Sequence, residues 1–331
     1  MIRTTRRAAL LGPAAAAAGL APGLRLGHAV AQTVPRPVRT IVGFPAGGSS
    51  DVVARLYAER LRGVFAPQVL VENRTGAAGR IAVEAVKAAA PDGETWLQTP
   101  ASMFTLQPHV FPRQVRYDAL TDFVPVSTVV TFPFALAVPA AHPARDFAGF
   151  VAWARAQADV PYASPAAGAA PHFLGVMLAR AIGATMTHVS YRGAAPAVQD
   201  LVGGRIQAFM GVLGDVAPQN GQGLRILAVS SPARNPRYPD IPTVAELGQP
   251  GLTNEEWFGV ALPAGTPAPL VQGLFEGVRR AAADPALREA LERQDYAAVT
   301  SDSPAAFADR IRREREAWAG VVRESGVRLD D

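Results

Sequence analysis

Four histidines follow residue 31 of this 331-residue chain: His109, His142, His172 and His188. They are scattered, without the spacing that would hold a metal. Cysteine is absent, which removes disulfides, a thiol nucleophile, a Cys-ligated metal and the cysteine of a lipid anchor. Lysine occurs once, as Lys87, inside an ordinary amphipathic pattern. No Gly-x-Ser-x-Gly, His-Glu-x-x-His or Ser-x-x-Lys motif is present. The nearest approach to catalysis is Ser164 followed by His172. With an orienting acid such as Asp215 they would make a nucleophile and base, and the chain a secreted hydrolase of small esters or amides. Nothing in the spacing demands that arrangement. The pair Glu255-Glu256 reads as a solvated loop. No metal or cofactor is expected.

Binding chemistry is better represented. The stretch Phe44-Pro45-Ala46-Gly47-Gly48-Ser49-Ser50-Asp51 follows an apolar run from Val38 and precedes a helical pattern (Val52, Val53, Leu56, Tyr57, Leu61, Val64). Ser50 or Asp51 supplies the N-cap signal, the glycines permit close backbone approach, and a helix start favours a negative group. It is neither a P-loop nor a dinucleotide fingerprint. A second small-residue loop, Ser164 to His172, holds Gly168, Ala169 and a Pro171 suited to a first helical turn. There His172 is expected neutral, as a ligand donor or a packing group. A third loop, Tyr191-Arg192-Gly193, carries a cation able to pair with a ligand carboxylate or with Asp200.

These loops need strands and helices to aim them. Strands are expected at 38–44, 68–72 and 95–99 with helices from Asp51 and at 79–90, a βαβαβ series whose loops, including Ser102, gather at the carboxyl strand edges. Residues 103–125 read as irregular because of their prolines. Strands at 126–130 and 134–138 and a helix from Asp146 or Phe147 to 158 lead into a second series. It comprises strands 160–163, 186–190 and 207–213, helices 171–182 and 194–202, and a returning strand 224–229. A strand at 257–262 and helices 268–283, 285–294 and 303–325 close the chain. The expected organisation is two α/β lobes, 32–132 plus 228–331 and 133–227, with the charged run Arg310–Glu316 on a solvated helix face.

Residues 1–31 differ from the rest. Arg3, Arg6 and Arg7 precede an Ala/Gly-rich stretch that ends in Ala29-Val30-Ala31, which reads as an export signal cleaved near Ala31. Thr5-Arg6-Arg7-Ala8-Ala9-Leu10 resembles a twin-arginine signal, and the general secretory route fits as well. The segment carries four arginines and no acid, so it accounts for the whole formal charge of +4. The remainder has no electrostatic reason to bind nucleic acid or an anionic membrane.

The ordered series Gly43-Phe44-Pro45-Ala46-Gly47-Gly48 with Asp51, Val71-Glu72-Asn73-Arg74, Pro91-Asp92-Gly93, Tyr162-x-Ser164 with Gly168 and His172, Tyr191-Arg192-Gly193 with Asp200-Leu201, Pro242-Thr243 with Glu246, and Trp257-x-Gly259 before Pro263-Ala264-Gly265-Thr266-Pro267 resembles the Bug-type receptors of tripartite tricarboxylate transporters. The resemblance implies a type II periplasmic-binding-protein fold and a monomeric periplasmic receptor. Such a receptor closes on a small organic acid and delivers it to an integral-membrane permease. It implies ligand contacts at Phe44, Ala46, Gly47, Gly48, Asp51, Ser102, Ser164, Gly168, Ala169, His172, Tyr191, Arg192, Gly193 and Asp215. Ala169 stands where the family often has Ser or Thr, which points to a less polar acid. Ala78 replaces a glycine of the family's turn. A transcription-factor effector domain of the same fold is disfavoured by the signal segment and the missing DNA-binding helices.

Overall fold

The computed structural model describes Met1, residues 33–327 and Leu329. The export signal and its cleavage site therefore lie outside the described residues. The chain divides into units Met1–Val30 and Ala31–Asp331, and only the second is considered below.

The strand β1 (Val38–Val42) runs through the loop to α1 (Ser49–Leu61), then to β2 (Val69–Asn73), α2 (Arg80–Lys87) and β3 (Thr95–Pro100). Strand β1 lies between β2 and β3, parallel to both, with Val38 opposite Val69 and Arg39 opposite Thr95. Helix α1 forms because Val53, Tyr57 and Leu61 recur on one face, and that face is buried against the sheet. The Tyr57 hydroxyl completes the seam by donating to the Val129 carbonyl at 2.6 Å.

The stretch expected to be irregular contains two short helices, α3 (Ala101–Thr105) and α4 (Gln107–Val110). Beyond them the two expected strands are one. The strand β4 (Phe123–Pro139) is 17 residues long and continues through Pro133. Proline is tolerated there because Pro133 is the last residue of β4 paired to one neighbouring strand, at Glu255, and Phe134 begins the pairing with another, at Val212.

A second α/β series follows: α5 (Phe147–Arg155), β5 (Val160–Ser164), α6 (Ala170–Ile182), β6 (Met186–Ser190), α7 (Ala194–Val202), β7 (Ala208–Val212), α8 (Leu213–Val216) and β8 (Leu224–Val229). Asp146 caps α5, accepting the Gly149 amide at 2.7 Å. The chain then returns through β9 (Glu255–Pro263), α9 (Ala268–Ala283), α10 (Pro285–Glu292), β10 (Ala297–Ala298) and α11 (Pro304–Ser325). Ser303 caps α11 and Pro304 opens it.

The strand order is β2-β1-β3-β9-β4-β7-β5-β6, with β8 and β10 also paired to β4. The first part of β4 pairs with β9 (Phe123 to Pro133) and the last part with β7 and β8 (Phe134 to Pro139). One strand thus carries two half-sheets, each with parallel strands whose carboxyl-end loops face the same gap. Helix α11 buries Phe307 and Ile311 against the first half-sheet. Farther along, Trp318 meets Phe173 of α6 edge-on at 6.2 Å. Among the described residues, no helix is long and apolar enough to cross a membrane.

Candidate functional site

The loops after β1, β3, β5, β6 and β7 enclose a cavity of about 510 Å³. Phe44 to Ser50 form one wall; Pro165, Ala166, Ala169 and Pro171 face it, and Arg192 to Pro196 and Asp215 complete the rim. Phe132, Phe134, Phe258, Met103 and Val212 make the interior largely apolar. Phe132 lies 4.6 Å from Phe258 and 5.9 Å from Phe134, centroid to centroid, so the aromatic surface is continuous.

Of the residues expected to touch a ligand, Phe44, Ala46, Gly47, Gly48, Ser102, Ala169, Arg192, Gly193 and Asp215 line this cavity. The other five sit behind its wall and shape it. Asp51 is buried; it accepts the Gly47 amide at 2.9 Å, Arg55 Nε and Nη2 at 2.8 Å each and Asn73 Nδ2 at 2.9 Å. Burial opposes its ionised form, but these donors outweigh that and hold its pKa below the usual carboxylate value. Ser164 is fully buried, sharing a 2.7 Å hydrogen bond with His188 Nε2. The His172 ring stacks on His188 at 3.7 Å, and its Nδ1 accepts the Gly168 amide at 3.2 Å. Gly168 is buried with φ +70°, and Tyr191 gives its hydroxyl to Asp200 at 2.7 Å. Side-chain contacts expected of these residues are thus spent inside the protein.

Burial also sets the state of the histidine pair. Desolvation lowers the pKa of His172 to about 4 and that of His188 to about 3, the latter helped by its neighbour, so both rings are neutral. The imagined triad does not assemble: Ser164 bonds His188, not His172, and Asp215 bonds Ser49.

Within the first loop, the backbone role shifts by two residues. The Gly47 amide is taken by Asp51 and the Gly48 amide by the Pro45 carbonyl. Only Gly47 needs glycine's freedom (φ +79°), while Gly48 caps the helix with φ −79°. The amides of Ser49 and Ser50, in the first turn of α1, make no hydrogen bond among the described residues. Those of Ala194 and Ala195, opening α7, are in the same state, as is that of Ala169 ahead of α6. Three helix N-termini therefore present unpaired N–H groups to one cavity. Arg192 is exposed at the rim and makes no ion pair among the described residues, because Asp200 is held by Arg205 at 2.8 Å and by Tyr191.

Two acids lie in the wall. Asp215 accepts the Ser49 hydroxyl at 2.6 Å, and the surrounding protein raises its pKa to about 6. Glu256, read from sequence as a solvated loop residue, is 5% exposed. The reason is the insertion of β9 between β3 and β4, which carries Glu256 opposite Phe132. Its Oε1 accepts both the Ser102 amide (2.9 Å) and hydroxyl (2.6 Å), while burial raises its pKa to about 7. Ser102 in turn accepts the Ala170 amide at 3.1 Å from across the gap. The sequence signal for this acid was its place one residue before the strand that begins at Trp257.

Residues 53–326 match the model of the tripartite tricarboxylate transporter family receptor. The chain is 35% identical to protein BugT of Bordetella pertussis over 331 residues, covering 98% of this chain and 99% of that one. Among solved structures it is similar to the periplasmic binding protein BugD (TM-score 0.82, 32% identity, covering 88% of this chain and 98% of that one). It is likewise similar to MatC of Rhodopseudomonas palustris with bound malate (TM-score 0.80, 28% identity, covering 87% and 99%). With the two half-sheets, the gap between them and the dismantled triad, these likenesses make the chain a member of the tripartite tricarboxylate transporter receptor family, a two-lobe periplasmic binding protein that captures a solute rather than transforming it.

Proposed function

We propose that the cleft captures a small organic acid and that the receptor passes it, as a monomer, to an integral-membrane permease. The observation that carries this reading is the convergence of unpaired amides from α1, α7 and the Ala169 loop, with Arg192 beside them, on one largely apolar cavity. Such amides hold a carboxylate without a buried counter-ion, and the aromatic wall takes an apolar body. The malate bound to MatC belongs to the same chemical class. The lobes are taken as 32–132 plus 228–331 and 133–227, so that ligand capture closes one on the other. Export, with cleavage near Ala31, delivers the mature chain to the periplasm.

Titration calorimetry with mono- and dicarboxylates tests the reading. A hit is expected to raise the melting temperature without being converted; ligand at about 100 times its Kd stabilises by roughly 2.7 kcal/mol. Conversion of the hit to product would overturn it. Sequencing the N-terminus of exported protein tests the cleavage site.

A further inference from the structure

Glu256 is the cleft group with an unusual arrangement of acceptors. Its Oε1 is saturated by two donors from Ser102, and its Oε2 has no hydrogen-bond partner among the described residues although the side chain lines the cavity. Because Oε1 is committed, any interaction with a ligand passes through Oε2. Among the described residues no cation pairs with it. Glu314 of α11 faces it from behind but is bound to Arg310 at 2.6 Å and to Trp257 Nε1 at 2.8 Å. Glu255 beside it is exposed. The other charged groups of the cavity wall are Asp215, tied to Ser49, and Arg192 at the rim.

We propose that Glu256 sets the ligand class of this receptor: an organic acid that carries, besides its carboxylate, a hydrogen-bond donor such as an amide or hydroxyl for Glu256 Oε2, in preference to the matching dicarboxylate. The inference rests on the organic-acid reading of the cleft. A second ligand carboxylate brought to Oε2 meets an acceptor with an acceptor and a negative charge with a negative charge. A donor there makes a charge-assisted hydrogen bond in a largely apolar, aromatic setting. The raised pKa adds a condition: the selectivity belongs to the ionised form, and protonation places a donor on Oε2 that a dicarboxylate can use.

The experiment is calorimetry on matched pairs of straight-chain dicarboxylates and their half-amides, from four to eight carbons, plus terephthalate and 4-carbamoylbenzoate, at pH 8 and at pH 6.5, where the dicarboxylates stay ionised. For the pair that binds, the half-amide is expected to bind about tenfold tighter or more at pH 8. The gap should narrow at pH 6.5. In Glu256→Gln, whose amide oxygen keeps the two Ser102 donors and whose NH2 faces the ligand as a donor, the preference should vanish or turn toward the dicarboxylate and lose its pH dependence. Should that variant fail to fold, the pH dependence of the wild-type preference still decides. Equal affinities at pH 8, or a preference unchanged in Glu256→Gln, overturn the inference and leave the organic-acid reading standing. Silence from every compound overturns that reading and this inference together.

Discussion

Acidification from pH 7 to pH 5 acts on four buried or half-buried groups in opposite directions, and the opposition can be unmasked by mutation. His172 and His188 have folded pKa values below the ordinary 6.5, about 4 and about 3. The unfolded chain therefore binds more protons, and the stability these rings allow is present above pH 6.5 and lost as the pH falls toward 4. Between pH 7 and 5 each costs roughly 2 kcal/mol, together roughly 4. Glu256 and Asp215 are raised, to about 7 and about 6, from ordinary values of 4.5 and 3.8. Here the folded chain binds more protons, so their contribution is present below the ordinary value and lost as the pH rises through the folded one. Over the same interval they return roughly 2 and roughly 1 kcal/mol. The wild type should thus lose no more than about 1 kcal/mol between pH 7 and 5 from these groups. The double variant Asp215→Asn/Glu256→Gln, which keeps the shapes and removes the titrations, should lose roughly 4 kcal/mol. Urea denaturation at both pH values reads the difference directly. A double variant as insensitive to pH as the wild type would refute the assignment of two neutral histidines behind the cleft.

Three substitutions probe the walls. Arg192→Ala should weaken binding of the acid by more than about 2 kcal/mol with an unchanged melting temperature, because Arg192 pairs with nothing in the protein that is described; calorimetry alongside a thermal melt separates affinity from stability. Asp51→Ala removes the acceptor of Gly47, Arg55 and Asn73 and should cost about 2–3 kcal/mol in urea unfolding while also weakening binding, since the loop amides lose their clamp. Gly168→Ala should destabilise by about 1–3 kcal/mol, because φ is +70° and the added carbon would lie 2.4 Å from Phe111 Cε2; a chevron or equilibrium melt measures it.

Much of the architecture was legible because it is local. Strand–loop–helix units announce themselves by apolar period and by small residues between them, and β1, α1, β5, α6 and α7 fall within a few residues of expectation. The cleft loops followed from the rule that parallel strands offer their carboxyl ends. What was not legible depends on long-range pairing. Phe132 and Pro133 look like a break between two short strands until β9 pairs across them and makes β4 one strand. Glu256 looks solvated until that same pairing buries it against Ser102, 154 positions away in sequence. Asp51, Ser164 and His172 were chemically plausible contacts, but each lies where a loop needs an internal partner, and the loop takes it first. Arg192 was open between a ligand and Asp200, and only the placement of Arg205 assigns Asp200 elsewhere.

Two hydrogen bonds already join the walls of the cleft, Ser49 to Asp215 and Ala170 to Ser102. If the lobes close on a ligand as proposed, these bonds, at about 1 kcal/mol net each, would favour the closed form roughly thirtyfold before any ligand contributes. A receptor so poised would capture its cargo with little reorganisation, but it would also close empty. Wherever a permease recognises closure itself, the empty form becomes a competitor for the full one. Overproducing the receptor would then slow uptake instead of speeding it, and cutting either clasp would relieve the inhibition at the expense of affinity.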